Sequence, residues 1–72
     1  MTYPTEQDVA AHLEAARQGQ ALTIKKLAEL AGISPRQVKA KLAGERPITT
    51  AELHRLATAL GTTPAKVYAD LA

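Results

Sequence analysis

Two stretches with helical spacing of apolar residues are joined by only three residues, Gly32-Ile33-Ser34. Before the join, Ile24, Leu27, Ala28 and Ala31 recur at intervals of three and four, which puts them on one helix face. After it, Val38 and Leu42 repeat at i, i+4. Ser34 and Pro35 open the second stretch. A serine hydroxyl accepts from the unpaired N–H groups of a helix start, and proline suits the first helical position because its missing N–H has no partner there. So short a connection does not comfortably reverse the chain into antiparallel neighbours. It makes two helices cross at a steep angle. That geometry needs a residue tolerant of positive φ at the bend and a small residue where the axes approach. Gly32 and Ala28 meet those needs. The expected pair is Thr23–Ala31 and Pro35–Ala43, sharing a core of Leu27, Ala31, Ile33 and Val38.

The same punctuation recurs along the chain. Thr5 followed by Glu6 and Asp8 marks a helix start with acids at the positive end of the dipole. Val9, Leu13 and Ala16 form its apolar face, and Gly19 is expected to end it. Thr23 caps the second helix. Gly44 closes the third, and Glu45-Arg46-Pro47-Ile48 reads as a loop. Thr49-x-x-Glu52 is a capping box opening a fourth helix with Leu53, Leu56, Ala57 and Leu60 inward, closed by Gly61. Thr63-Pro64 starts a fifth, whose expected apolar face is Val67, Tyr68 and Leu71. Fifteen alanines and nine leucines stand against three isoleucines, three valines, two tyrosines and no Phe or Trp. Small side chains suit close helix packing, and the residues that strands favour are scarce. The expectation is an all-α, compact five-helix bundle forming one domain over residues 1–72.

Several classes are disfavoured. Without cysteine there is no disulfide scaffold or Cys-based zinc module. No apolar run approaches the ~20 residues that cross a bilayer. Met1-Thr2-Tyr3-Pro4-Thr5 does not read as a signal peptide, so a cytoplasmic, nucleoid-associated protein is expected. His12 and His54 are isolated and lack metal-ligand spacing. Glu52 is explained by the capping box and Glu14 as helix surface. No nucleophile–base order or phosphate-cradling loop appears, so neither an enzyme nor a cofactor, metal or small-molecule ligand is expected. A chain this short leaves little room for an effector cavity or a separate oligomerisation domain.

The net charge of +2 is unevenly placed. Leu22 to Arg46 carries Lys25, Lys26, Arg36, Lys39, Lys41 and Arg46 against Glu29 and Glu45, a net +4, and the remainder is net −2. A basic middle is the footprint of a polyanion partner or a solvated helix face.

The stretch LTIKKLAELAGISPRQVKAKLAGERPITTAELHRLATALGTTP, Leu22 to Pro64, resembles the Cro-and-repressor type of helix-turn-helix regulator, the XRE family. LAELAGIS, GERPIT and LATALGTTP occur in the order and spacing of such proteins, and with the outer helices the resemblance covers nearly the whole chain. It implies a five-helix domain whose third helix lies in the DNA major groove. The base-facing positions it implies are Pro35, Arg36, Gln37, Lys39 and Ala40. The phosphate-facing ones are Thr23, Lys25, Gly44, Arg46, Thr49 and Thr50.

The chain also departs from that pattern. Ile24 stands where many relatives carry Gln. Pro35 and Ala40 can offer bases only apolar contact, such as to a thymine methyl. Relatives commonly have a large apolar residue at position 41 and a polar one at 42, whereas here Lys41 precedes Leu42. The expectation is that Leu42 is buried and Lys41 turns toward phosphate. A rotated third helix centred on Gln37, Lys39 and Lys41 is the alternative. The function expected is sequence-specific binding of double-stranded DNA by a small regulator, a repressor acting by operator occlusion. Pairing on DNA as a homodimer through Tyr68, Leu71 and Leu60 is a further expectation. The rival is a protein-interaction module, an antitoxin or adaptor, built on the same fold.

Overall fold

Among the described residues the chain forms five helices: α1 (Glu6–Gly19), α2 (Ile24–Ala31), α3 (Pro35–Leu42), α4 (Thr50–Ala59) and α5 (Pro64–Leu71). The structure is a computed structural model that describes residues 5–71. Residues 1–4 of the Met1–Thr5 stretch, which does not read as a signal peptide, lie outside them.

Every helix starts on a hydroxyl. The side chains of Thr5, Thr23, Ser34, Thr49 and Thr63 accept from the backbone N–H three residues on. At α1 and α4 the bond is reciprocated. Asp8 and Glu52 accept from the Thr5 and Thr49 N–H groups, completing capping boxes.

The helix ends show one correction. At the end of α3, Gly44 has φ +78°, its N–H donates to the Lys41 carbonyl, and the Glu45 N–H donates to the Ala40 carbonyl. That is the Schellman closure, which satisfies two orphan carbonyls and bends the chain back. The α2 end is built on the same left-handed residue, Gly32 at φ +70°, with the Ile33 N–H bonded to the Ala28 carbonyl. Helix α1 ends at Gly19 as expected and closes this way too, but its left-handed residue is not that glycine. Ala21 takes the left-handed position at φ +55°, with Ala21 N–H to Gln18 O and Leu22 N–H to Arg17 O. The Arg17 guanidinium ties the last turn of α1 to the chain beyond it. It grips Glu14 and donates to the Leu22 carbonyl beyond the turn. Gln20 adds a bond from Nε2 to the Leu60 carbonyl at 2.7 Å, tying the α1 end to the α4 end.

α2 packs on α3 and α4, α1 on α5 and α3, and α4 on α5. The core is Val9, Leu13, Leu27, Ala28, Ala31, Val38, Leu42, Leu53, Leu56, Leu60 and Val67. Ala16, Ile24, Ile33 and Leu71 pack against its edge. Tyr68, expected on the α5 core face, is instead 46% exposed. Val67 and Leu71 are four apart and share the inward face, and Tyr68 is turned ~100° away. Leu60 is buried, which removes it from any surface that could pair two chains. His12, on α1, lies 3.5 Å from the Asp70 carboxylate of α5.

Two substitutions test the turns. A Cβ at Gly32 would meet open space, so the cost of Gly32→Val is backbone strain. It should lower stability by about 1–2 kcal/mol. Ala21→Gly relieves the same strain and should raise stability by about 0.5–1 kcal/mol. Thermal melts followed by circular dichroism should shift in opposite directions, by roughly 4–8 °C per kcal/mol. Equal melts for both variants and the parent would contradict this account of the turns.

Candidate nucleic-acid interface

Ser34 fixes where α3 begins, and Val38 and Leu42 fix which side faces the core. At ~100° per residue the opposite side must carry Arg36, Gln37, Lys39, Ala40 and Ala43. Pro35, Arg36, Gln37 and Lys39 are exposed and Ala40 is half-buried. The turn at Gly44 returns the chain past Ala40, so the loop comes back alongside the helix. One surface groove results, lined by Arg36, Gln37, Lys39, Ala40, Ala43, Glu45 and Arg46. It unites four of the five base-facing expectations with the phosphate-facing Arg46. Ala43 and Glu45 were not anticipated there. Their signal was the glycine-terminated helix end, which folds residue 45 over the last turn.

Pro35 and Lys25 line a neighbouring groove with Ala28, Glu29, Gly32 and Ile33, so the α2 start stands beside the first residue of α3. Thr23 and Thr49 are exposed N-caps, and the half-buried Gly44 opens the returning loop. Thr50 lies elsewhere: it lines a groove at the α1–α4–α5 junction with Thr5, Val9, Ile48 and Tyr68. Among the described residues the ion pairs are His12–Asp70, Arg17–Glu14 and Lys41–Glu52. Lys25, Lys26, Arg36, Lys39 and Arg46 belong to none of them, so five exposed cations of the basic middle stretch remain unpaired within the fold.

Lys41 requires a correction. It does not turn toward phosphate, being only 6% exposed. Its Nζ donates to the Pro47 carbonyl at 3.1 Å and to Glu52 Oε1 at 2.7 Å. Leu42 is buried as expected, so both residues of the Lys41-Leu42 pair face inward. Lysine accomplishes this by packing its methylene stem and keeping its charged tip on acceptors. The register centred on Gln37, Lys39 and Lys41 therefore loses one of its three members. The Lys41 ammonium, with the Thr49 backbone N–H, holds the Glu52 carboxyl below its ordinary pKa. Arg17 does the same for Glu14, with Gln18 assisting. No group of three or more His, Cys, Asp or Glu residues suited to a metal occurs among the described residues. None of their helices is long and apolar enough to cross a membrane.

The helix-turn-helix domain family matches residues 8–69. Among solved structures, the chain is similar to the restriction-modification controller protein C.AhdI from Aeromonas hydrophila. The TM-score is 0.78 at 27% identity, over 83% of this chain and 91% of that one. It is also similar to the clp gene regulator ClgR from Corynebacterium glutamicum, with TM-score 0.80 at 25% identity over 92% of this chain and 71% of that one. A second ClgR structure, 24% identical, shares the fold with a TM-score of 0.82. No curated protein sequence matches. The chain belongs to the helix-turn-helix domain family, in the XRE type that its sequence resembles.

The Glu52 shift makes stability depend on acidity. An unfolded glutamate titrates near pH ~4.3. A lower folded pKa stabilises the fold above that value, and the contribution is lost as the pH falls through the folded pKa. Glu52→Gln removes this contribution while a glutamine still closes the capping box. The melting temperature of the parent should therefore fall more steeply than that of Glu52→Gln between about pH 5 and 3. Parallel curves would mean that the carboxylate gains nothing from Lys41.

Proposed function

We propose that this chain is a regulator that binds double-stranded DNA by placing α3 in the major groove. The observation that carries the reading is the α3 groove, in which Arg36, Gln37 and Lys39 stand exposed beside Arg46 with no intramolecular ion pair. Arg36 offers a bidentate fork to guanine O6 and N7, and Gln37 an amide to adenine N6 and N7. Pro35 and Ala40 contribute apolar contact, and Lys39 reaches a base edge or the flanking backbone. Thr23 and Lys25 at the α2 start, with Gly44, Arg46, Thr49 and Thr50, form the phosphate-facing set. Of these, Thr50 has the least support, since it lines a separate groove.

The regulatory outcome proposed is repression by occlusion of an operator, in the cytoplasm and without cofactor or catalysis. C.AhdI is described as a controller protein and ClgR as a gene regulator, which supports the regulatory half of the reading. Pairing of two copies on DNA would use the exposed Tyr68 and the half-buried Leu71 of α5. Two half-sites multiply specificity. A protein-gripping surface on α3 has less support, because no large apolar side chain is exposed there.

Binding to duplex DNA should weaken with salt. If ~3–4 phosphates are neutralised per protomer, log K against log[salt] has a slope of about −3 to −4. A slope near zero, or no binding at ~50 mM salt, would favour the protein-interaction rival. Arg36→Ala should flatten preference at one base position of a selected site, costing ~1–3 kcal/mol there. Arg46→Ala should weaken all sequences about equally. Competition between the selected site and its single-base variants separates the two. Unchanged preferences in Arg36→Ala would show that α3 does not read bases through that residue.

A further inference from the structure

The Lys41 ammonium links three pieces of chain. It rises from the last turn of α3, bonds the Pro47 carbonyl in the loop, and bonds Glu52 in the first turn of α4. The Glu52 oxygen it uses, Oε1, also accepts the Thr49 N–H at 3.0 Å, so one atom closes the capping box and receives the lysine. The loop is therefore anchored at both ends. Its entry is held by the Glu45 N–H on the Ala40 carbonyl at 2.9 Å, and its exit by Lys41 on Pro47. Arg46 stands between those anchors and lines the α3 groove.

Burial alone does not call for a cation at position 41. An apolar side chain would fill the same space without the cost of desolvating an ammonium. It would have no donor for the Pro47 carbonyl and no charge for Glu52. What lysine adds is a connection between the helix that carries Arg36 and the loop that carries Arg46. We infer that Lys41 is a positioning residue for DNA binding, whose ammonium holds the loop so that Arg46 stands ready at the groove edge, without itself touching DNA. The inference rests on the DNA-binding reading above. Its physical basis is preorganisation: a loop ordered in the free protein need not be ordered when DNA arrives.

The test is a double-mutant cycle on duplex binding, comparing the parent chain with Lys41→Met, Arg46→Ala and the pair between 50 and 200 mM salt. Losing one phosphate contact flattens the slope by about 0.9, so the affinity lost across that range shrinks by roughly 3.5-fold. Arg46→Ala should do this. Lys41→Met, shown folded by circular dichroism, should reproduce most of it. The pair should bind no worse than Arg46→Ala alone, because Lys41 acts through Arg46. Additive losses would mean that Lys41 meets phosphate itself, and unchanged binding in Lys41→Met would mean that it positions nothing. Either result overturns the inference while leaving the DNA reading intact. Parent protein that does not bind duplex DNA overturns both. If Lys41→Met does not fold, Glu52→Gln enters the same cycle, since it keeps the cap but weakens the hold on the ammonium. It should likewise flatten the slope and lose its effect without Arg46. An effect that persists without Arg46 would again overturn the inference.

Discussion

Gly32 turns the chain from α2 into α3 within three residues, and the direction of that turn decides what α3 can present. The left-handed conformation at φ +70° lets the Ile33 N–H reach back to the Ala28 carbonyl. Ser34 then starts the next helix at once, by accepting the Gln37 N–H. With the start of α3 set, Val38 is bound to meet the α2 face that carries Leu27 and Ala31. Arg36, Gln37 and Lys39 are left on the outside by helical geometry alone. The basic face is thus a consequence of the turn and of two inward aliphatic residues. The solvent-facing residues need only be compatible with helix.

A second constraint sits at the other end of α3. Lys41 and Leu42 both point inward, at 6% and 5% exposure. A buried cation is tolerable only with acceptors, and the fold supplies two, one from a backbone carbonyl and one from the capping-box carboxylate of Glu52. Glu52 therefore serves the local order of α4 and the long-range docking of α3 through the same oxygen. Electrostatically the effect is to remove one cation from the outer face. The positive field that remains comes from Lys25, Lys26, Arg36, Lys39 and Arg46.

Features that depend on neighbours in sequence were accessible from the chain alone. All five hydroxyl caps lie where serine or threonine precedes a helical pattern, and Gly32, Gly44 and Gly61 hold the left-handed positions expected of helix ends. The inward faces of α2 and α4 follow from spacing for the same reason. Features that depend on contacts across the fold were not accessible. Ala21, not Gly19, takes the left-handed position at the α1 turn, and Arg17 bonds past the helix end, a contact with no sequence pattern. The inward turn of Lys41 has no local signature, because its partners are six and eleven residues away. Hydrophobicity alone points Tyr68 inward, but Val67 and Leu71 already occupy the face that α5 turns to the core. Within the candidate site, the α3 residues followed from helical phase. Glu45 and Ala43 join the groove only because the loop folds back over the last turn of α3.

The surface proposed to meet duplex DNA is the α3 face, with the α2 start and the 44–46 loop. Amide chemical-shift mapping during titration with a short duplex at low salt tests it most directly. The largest changes should fall on Arg36, Gln37, Lys39, Ala40 and Arg46, with a second cluster at Lys25 and Lys26. Changes centred instead on Thr5, Ile48 and Tyr68, at the α1–α4–α5 junction, would contradict it.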